Sequence, residues 1–326
     1  MKSRRIFLRQ GALASAAVMV AKPFTSFGMD NGFLPMAKSN ANSVTLLHTN
    51  DLHNHLKPLS HNIYSNMGGF TNTSEMITRI KQQDSNVLLV DAGDIFCGNM
   101  RHQKEFETTL QMMQAAGYDA ALLGNRDYES GADYLQEQWQ KNNVSLVASN
   151  YSYKESGLKN LNQPYKIVQK GNIKIGIIGA GIELQGLVPA NLNSLVQYTD
   201  PVKELSAIAK MLKQENKCQL VICLSHLGYK NAKVIDDVAL ASLSTNIDVI
   251  IGGHSHTFMQ APQIVLNQQQ QEVIINHAGF GGMVLGNMNI CFDDDGNKRT
   301  LTFNNLMVGA KDNAWAKKQY AANPVS

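Results

Sequence analysis

Short runs of apolar, largely β-branched residues recur along the chain, and they constrain its fold more than any other feature. Each run ends in a polar or glycine-containing turn, and the stretch that follows is often helical in pattern. Apolar runs of this length, lying between helices, are typical of central strands that are buried on both faces. The sequence therefore predicts an α/β fold. The runs lie at residues 44–48, 87–91, 120–123, 146–148, 173–178, 220–224, 249–251, 273–276 and 284–290.

One helix has both a start signal and an apolar face. Asp200 is a suitable N-cap and Pro201 a suitable first residue, because proline lacks an N–H group that would have no partner there. The apolar residues that follow repeat on one side of a helix, which we expect to pack on a sheet. They are Val202, Leu205, Ile208, Met211 and Leu212. Residues 267–272 (NQQQQE) are predicted to connect two strands of a hairpin.

The first 28 residues have the layout of an export signal. The pair Arg4 and Arg5 precedes a short apolar run, GALASAAVMVA, and Lys22. This layout resembles a twin-arginine signal, which directs folded proteins across the bacterial inner membrane; a basic amphipathic helix is the alternative. We expect a periplasmic protein, membrane-associated if the signal is not cleaved. Residues 29–42 show no periodicity and are predicted to be a linker.

The charge balance excludes one class of partner. The net charge of +3 comes from the first 28 residues, which carry five basic residues and no acid. The remainder has 24 basic and 26 acidic residues, which does not favour binding to nucleic acid polymers. The four cysteines contain no C-x-x-C pair, so neither a thiolate metal site nor a required disulfide is expected.

Unusual polar residues follow the predicted strands, at the points where each strand ends. The segments are HTNDLHNH, DAGDIFCGN, GNRD, LSHLGY and IGGHSH. Open α/β sheets build their sites at these ends. Asp51 and His53 lie two residues apart, so an extended backbone points both to one side. The nitrogen and oxygen ligands in these segments are Asp51, His53, Asp94, Asn125, His226, His254 and His256.

Seven such ligands exceed the need of one first-row ion, and they suit a pair of divalent ions such as Mn, Zn or Fe. Two ions need a shared ligand, and the carboxylate of Asp94 can bridge where an amide cannot. Taken alone, each motif has a simpler explanation: a loop aspartate with a surface histidine, a turn, or a hydrogen-bonded core histidine. Their occurrence together, in this order, favours a metal site.

The same motifs, with the later segment NHAGFGGMVLG, resemble those of the calcineurin-like metallophosphoesterases. The resemblance is specifically to the catalytic domain of the bacterial periplasmic 5′-nucleotidase and UDP-sugar hydrolase family. It implies a single catalytic domain at residues 43–310, folded as a four-layer α/β/β/α sandwich that carries two metal ions. The implied ligands are Asp51, His53 and His256 for one ion, Asn125, His226 and His254 for the other, and Asp94 as the bridge.

The sequence departs from the family pattern at Arg126. The family has a histidine after the asparagine, a residue that stabilises the transition state or protonates the leaving group. Arginine cannot give up its proton near neutral pH, but its guanidinium pairs well with phosphate oxygens. With Asn125, we expect Asp127 and Glu129 to complete the catalytic group, Glu129 by orienting Arg126. In the alternative interpretation Arg126 is a surface residue and the site is inactive.

A second departure is the short C-terminus. The related nucleotidases carry a further C-terminal domain, whereas residues 311–326 are predicted to be a loosely packed tail; its Trp315 and Tyr320 are candidates to cover the site or dock a partner. A separately encoded C-terminal-type domain is therefore a candidate partner. The expected activity is hydrolysis of phosphomonoesters, with 5′-nucleotides among the candidates. A diester, nucleotide sugar or sulfur anion as substrate, or a metal-binding module with little activity, are the alternatives.

Overall fold

The computed structural model describes residues 41–60, 62–97, 103–154, 157–231 and 234–309. The predicted export signal, most of the predicted linker and the predicted tail lie outside these ranges. Within them, none of the helices combines the length and the apolar character needed to cross a bilayer.

The described ranges contain sixteen strands and seven α-helices. The strands are β1 (Ser43–Thr49), β2 (Val87–Asp91), β3 (Ala120–Ala121), β4 (Leu146–Val147), β5 (Tyr151–Tyr153), β6 (Asn162–Gln163), β7 (Tyr165–Lys170), β8 (Ile173–Ala180), β9 (Val196–Tyr198), β10 (Leu220–Ser225), β11 (Val249–Gly252), β12 (Gln263–Leu266), β13 (Glu272–His277), β14 (Val284–Phe292), β15 (Lys298–Phe303) and β16 (Leu306–Met307). The helices are α1 (Phe70–Gln83), α2 (Gln103–Ala116), α3 (Ala132–Gln140), α4 (Leu158–Leu161), α5 (Ala190–Asn193), α6 (Pro201–Gln214) and α7 (Asp237–Leu243).

Two large sheets organise the chain. The first has the strand order β15-β14-β1-β2-β3-β4-β6, with β16 added beside β14, and its strands from β1 to β6 run parallel. The second has the order β12-β13-β11-β10-β8-β7, with a parallel centre from β13 to β8 and an antiparallel strand at each edge. The strands β5 and β9 form a separate small ribbon.

The four-layer α/β/β/α arrangement is confirmed. Helices α6 and α7 contact the second sheet, while buried side chains of α1, α2 and α3 share one hydrophobic core with β1 and β2. The two sheets meet across the centre, where Ser149 and Gly179 exchange hydrogen bonds. A buried polar contact also crosses this interface, because the side-chain amide of Asn276 on β13 donates to Nε2 of His48 on β1 over 2.9 Å.

The predicted helix after Asp200 is confirmed in detail. The Asp200 side chain accepts a hydrogen bond from the N–H of Val202, and Pro201 is the first residue of α6. Leu205 and Leu212 are fully buried against the second sheet. The glutamine-rich segment connects β12 and β13, which pair antiparallel as predicted.

The chain also contains strands that the apolar runs did not reveal. Strands β7, β12 and β15 lie at sheet edges and consist of partly buried and exposed residues. Because one side of an edge strand faces water, such a strand needs no continuous apolar run. The parallel strands β1, β2, β3, β10 and β11 all end toward one rim of the molecule, and their loops carry the polar motifs.

Candidate metal centre

The predicted ligands converge into two triads at this rim. Loops after β1 and β11 bring together Asp51, His53 and His256, and loops after β2, β10 and β11 bring together Asp94, His226 and His254. In each triad the potential ligand atoms lie within 4.8 Å of one another. The five separate sequence motifs therefore form one site.

The first triad centres on a buried carboxylate. Oδ1 of Asp51 lies 3.7 Å from Nε2 of His53 and 3.4 Å from Nε2 of His256, and the two Nε2 atoms lie 2.9 Å apart. Asp51 is fully buried, whereas the His256 side chain is 41% exposed. The pocket between these atoms therefore opens toward solvent on the His256 side.

The second triad is more deeply buried and includes Asn125. Nε2 of His226 lies 3.2 Å from Oδ2 of Asp94, and Nδ1 of His254 lies 3.0 Å from Oδ1 of Asn125. Nδ1 of His226 donates to the carbonyl of Ala92 over 2.8 Å. Because a carbonyl oxygen can only accept, the Nδ1 atom of His226 carries a proton and Nε2 presents a lone pair in the neutral ring.

The geometry fits divalent cations. Two ligands bound at about 2.0–2.1 Å and at a right angle to each other are about 2.9 Å apart. The His53–His256 nitrogen pair, at 2.9 Å, and the His254–Asn125 pair, at 3.0 Å, match this spacing. Within the described residues, the buried Nε2 atom of His226 makes no hydrogen bond. The nearby charged atom is Oδ2 of Asp94 at 3.2 Å, and a cation bound by both atoms would satisfy this buried nitrogen.

The negative charge of Asp94 affects a histidine in each triad. Burial has the largest effect on His53 and lowers its pKa. The negative charge of Asp94, and then that of Asp51, acts in the opposite direction. Burial also opposes the charged form of His226, yet Asp94 and then Asp51 raise its pKa to about 10. Asp51 acts on the same two histidines, so the site carries the negative field of two carboxylates. The site attracts positive charge, which bound cations would supply in place of a proton.

Three glycines allow these side chains to pack closely. A Cβ atom at Gly124 would lie 2.2 Å from Oδ1 of Asp94 and 2.5 Å from Nε2 of His226. A Cβ atom at Gly93 would lie 2.9 Å from Nδ1 of His226, and one at Gly253 would lie 3.1 Å from Oδ2 of Asp51. Glycine is required at Gly93 and Gly124 because any side chain would enter the space of a ligand.

Five of the seven predicted ligands have a left-handed backbone. The φ angles are 51° at Asp51, 49° at His53, 53° at Asp94, 69° at His254 and 51° at His256. Such angles are uncommon outside glycine and concentrate at functional sites. The prediction of an extended backbone at Asp51 and His53 is therefore wrong, because left-handed turns place these two side chains.

Asp127 lies behind the ligands and not among them. It is fully buried, and its Oδ2 atom accepts from the N–H groups of Asp94 and Gly124 over 2.9 and 2.7 Å. Its Oδ1 atom accepts from the N–H of Phe96 over 2.8 Å. Asp127 thereby ties the loop of Asp94 to the loop of Asn125, which is a positioning role.

Arg126 and Glu129 lie at the open side of the second triad. The backbone N–H of Arg126 donates to Oδ1 of Asp94 over 2.8 Å, and its guanidinium donates to Glu129 over 2.6 Å. The Arg126 side chain is 57% exposed. Its hydrogen bond to Glu129 raises the pKa of the guanidinium further, so Arg126 stays charged.

The sequence analysis did not identify several buried residues that make hydrogen bonds next to the predicted ligands. The Asn50 amide donates to Oδ2 of Asp51 over 2.7 Å and to the carbonyl of Gly279 over 2.7 Å. Asp237 is fully buried, accepts from the Ser225 hydroxyl and lies 2.6 Å from Nε2 of His277. Asn50 and His277 belong to conspicuous motifs, TND and NHAG, but their contacts with Gly279 and Asp237 join residues that are distant in sequence.

The two triads form a candidate divalent-metal site of the kind that hydrolases use. Comparison with known proteins gives the family. The sequence profile of the calcineurin-like phosphoesterases matches residues 44–258, and the chain belongs to this family. Its members depend on divalent metals, so the family and the two triads agree.

Named relatives are 5′-nucleotidases. The chain is 29% identical over 279 residues to the snake venom 5′-nucleotidase of Gloydius brevicauda, covering 78% of this chain and 46% of that protein. It is 31% identical over 234 residues to the 5′-nucleotidase of Vibrio cholerae, covering 68% of this chain and 42% of that protein. The chain spans about half the length of these relatives.

A solved structure agrees with this assignment. The crystal structure of a 5′-nucleotidase precursor from Thermus thermophilus superposes with a TM-score of 0.73 at 27% identity. The match covers 86% of this chain and 58% of that one. The predicted resemblance to the 5′-nucleotidase group is confirmed.

Proposed function

We propose that this protein hydrolyses phosphomonoesters with two divalent cations, and that 5′-nucleotides are among its substrates. The observation that carries the proposal is the pair of triads, whose ligand atoms lie within 4.8 Å of one another in each. When bound, the two cations would polarise the phosphoryl oxygens and lower the pKa of a water molecule at the site. Asp51, His53 and His256 would hold one cation, and Asn125, His226 and His254 the other, with Asp94 bridging.

The residues of the chain perform three further tasks. Asp127 fixes the loops of Asp94 and Asn125, so that the ligands meet in one geometry. Arg126 supplies a permanent positive charge, and its exposed guanidinium can move from Glu129 onto phosphate oxygens. Arg126 cannot protonate the departing alcohol, so leaving groups that need no proton are hydrolysed fastest.

Metal-dependent turnover of an aryl phosphate tests the activity. Purified protein should hydrolyse 4-nitrophenyl phosphate after addition of Mn²⁺, Zn²⁺ or Fe²⁺, and a chelator should stop the reaction. Asp94→Asn should lower kcat/KM at least about 100-fold, because an amide cannot bridge two cations and even changes behind the ligands cost 10–100-fold. Asp295→Asn, in the exposed turn between β14 and β15, is the control. Metal-loaded protein without turnover on any phosphate ester contradicts the proposal.

The dependence on the leaving group tests Arg126. The rate of the wild type should fall steeply as the pKa of the leaving alcohol rises, because no general acid assists its departure. Arg126→His introduces a proton donor and should make this dependence shallower, since general acids contribute about 10²–10⁴-fold. Arg126→Met should raise KM for every ester, because the clamp is lost. Arg79→Met on α1 removes an equally exposed arginine elsewhere and should change neither.

If Arg126→His alone creates activity, the native protein is a metal-binding module rather than a phosphatase. A panel containing a phosphodiester, a nucleotide sugar and a thiosulfate ester identifies the alternative substrate classes. Metal analysis of the active form decides among Mn, Zn and Fe. These outcomes separate the proposal from each alternative.

Export and a partner domain belong to the same proposal. The twin-arginine pattern supports a periplasmic location, and replacing Arg4 and Arg5 with lysine should leave the protein in the cytoplasm. A separately encoded C-terminal-type domain, of the kind that the sequence comparison with the nucleotidase family suggested, is the candidate partner. Co-purification with such a domain, followed by an increase in kcat/KM for nucleotides, is the expected result.

A further inference from the structure

An aromatic surface adjoins the metal centre. Three rings, those of Tyr64, Phe258 and Phe280, contact one another at centroid distances of 5.6 to 6.2 Å. Phe280 also stacks on the imidazole of His256, with centroids 5.0 Å apart and planes 23° apart. We name these three residues the aromatic platform. It continues directly from a predicted metal ligand.

The aromatic platform packs on buried side chains on one side and is partly exposed to solvent on the other. Its rings pack on the buried side chains of Met67, Met283 and Met307, yet each ring remains partly exposed. Phe258 packs closely on Gly279, where an added Cβ atom would come within 2.1 Å of the ring. A rigid aromatic surface that remains partly in water is suited to bind a ligand, because little side-chain entropy is lost on binding.

We propose that the aromatic platform binds a planar ring in the alcohol part of the substrate. This inference rests on the proposed phosphoesterase function, because a phosphate held beside His256 directs the rest of the ester outward. Phe280 is the first ring beyond His256, and Tyr64 is the next, 5.6 Å further. Stacking rewards flat, π-rich groups over aliphatic ones, so the platform favours aryl or heteroaryl esters.

A pair of substrates with the same leaving group isolates this effect. Adenosine 5′-monophosphate and ribose 5-phosphate both release a primary alcohol and differ in the planar base. The ratio of their kcat/KM values should fall about tenfold in Tyr64→Leu and in Phe258→Leu, since one stacking contact contributes 1–3 kcal/mol and 1.4 kcal/mol is tenfold. Tyr134→Leu on α3, where the ring contacts Phe106, is the control and should leave the ratio unchanged.

Binding of adenosine without its phosphate separates this proposal from the proposed function. Titration followed by calorimetry should give an affinity that weakens about tenfold in Tyr64→Leu and Phe258→Leu, with ribose showing no binding. Variant-dependent adenosine binding without hydrolysis of any ester overturns the phosphoesterase proposal and leaves the platform standing. Hydrolysis with an unchanged substrate ratio, or adenosine affinity equal in wild type and variants, overturns the platform. A protein domain that covers the rings and blocks adenosine binding overturns it as well.

Discussion

Gly124→Ala adds one methyl group at the point where two predicted ligands of the same cation meet. The new Cβ atom would lie 2.2 Å from Oδ1 of Asp94 and 2.5 Å from Nε2 of His226, whereas ordinary contacts begin at 3.4 Å. Both ligand atoms must therefore move by about 1 Å. The new Cβ atom also lies 2.6 Å from the backbone nitrogen of Asp94, so this loop must shift as well, although Gly124 itself does not have a left-handed backbone.

The expected result is a folded protein with a damaged second metal site. A misplacement of about 1 Å can cost about 100-fold in rate, and disturbed ligand positions cost about 10–100-fold in metal affinity. Calorimetric titration with Zn²⁺ or Mn²⁺ should therefore show one weakened site, and kcat/KM for 4-nitrophenyl phosphate should fall about 100-fold. Thermal unfolding of the metal-free variant should remain cooperative.

Gly131→Ala is the matched control. Gly131 has a φ of 87°, and no other atom lies within 4 Å of an added Cβ atom. Alanine therefore strains the backbone but displaces no neighbouring atom. With a ψ of 151° this backbone is one that glycine adopts almost alone, and we expect a stability loss of about 1–3 kcal/mol together with wild-type metal affinity. Two sites of wild-type affinity in Gly124→Ala, with kcat/KM within about threefold of wild type, would refute the assignment of Asp94 and His226 to one cation.

Two further predictions concern buried groups. Asp127→Asn changes the acceptor of three backbone N–H groups and should weaken metal affinity about 10–100-fold, measured by calorimetry. The control Asp133→Asn, at an exposed position on α3, should leave the affinity unchanged. Equal affinities in the two variants would contradict the positioning role of Asp127. His48 should make the metal-free protein acid-sensitive, because burial, and then His277, lower its pKa to about 3 in the folded state. The contribution of neutral His48 to the free energy of unfolding is complete above the unfolded pKa of about 6.5. It is lost as the pH falls, and at pH 5 the loss is about 2 kcal/mol. His48→Gln should flatten this part of a urea-unfolding series between pH 5 and 8, and a parallel series would contradict the argument.

The sequence predicted the position of the site because the ligands follow the ends of buried strands. Apolar runs identify such strands, and residues immediately after them must lie at one rim of a parallel sheet. The same reasoning grouped Asp127 with the catalytic residues, since adjacency to Asn125 does not reveal which way a side chain points. In the structure it faces backbone amides of the loops that carry Asp94 and Asn125.

Contacts between distant parts of the chain were beyond sequence reasoning. Tyr64 and Phe258 are separated by nearly 200 residues, and no spacing rule brings their rings together. The edge strands were missed for a different reason, because partial exposure removes the apolar signal that marks a central strand. Local patterns therefore predicted the framework and the ligands, whereas their supporting contacts depend on tertiary packing.

The left-handed turns at the metal ligands restrict which residues the site can use. After glycine, the side chains that best tolerate such a backbone are asparagine, aspartate and histidine. These are also side chains whose oxygen and nitrogen atoms bind divalent cations. At Asp51, His53 and His256, the left-handed backbone and the coordination of a cation therefore favour the same residue types. Glutamate or glutamine, which offer the same donor atoms on a longer chain, should be less favourable at these positions because of the backbone as well as the coordination geometry.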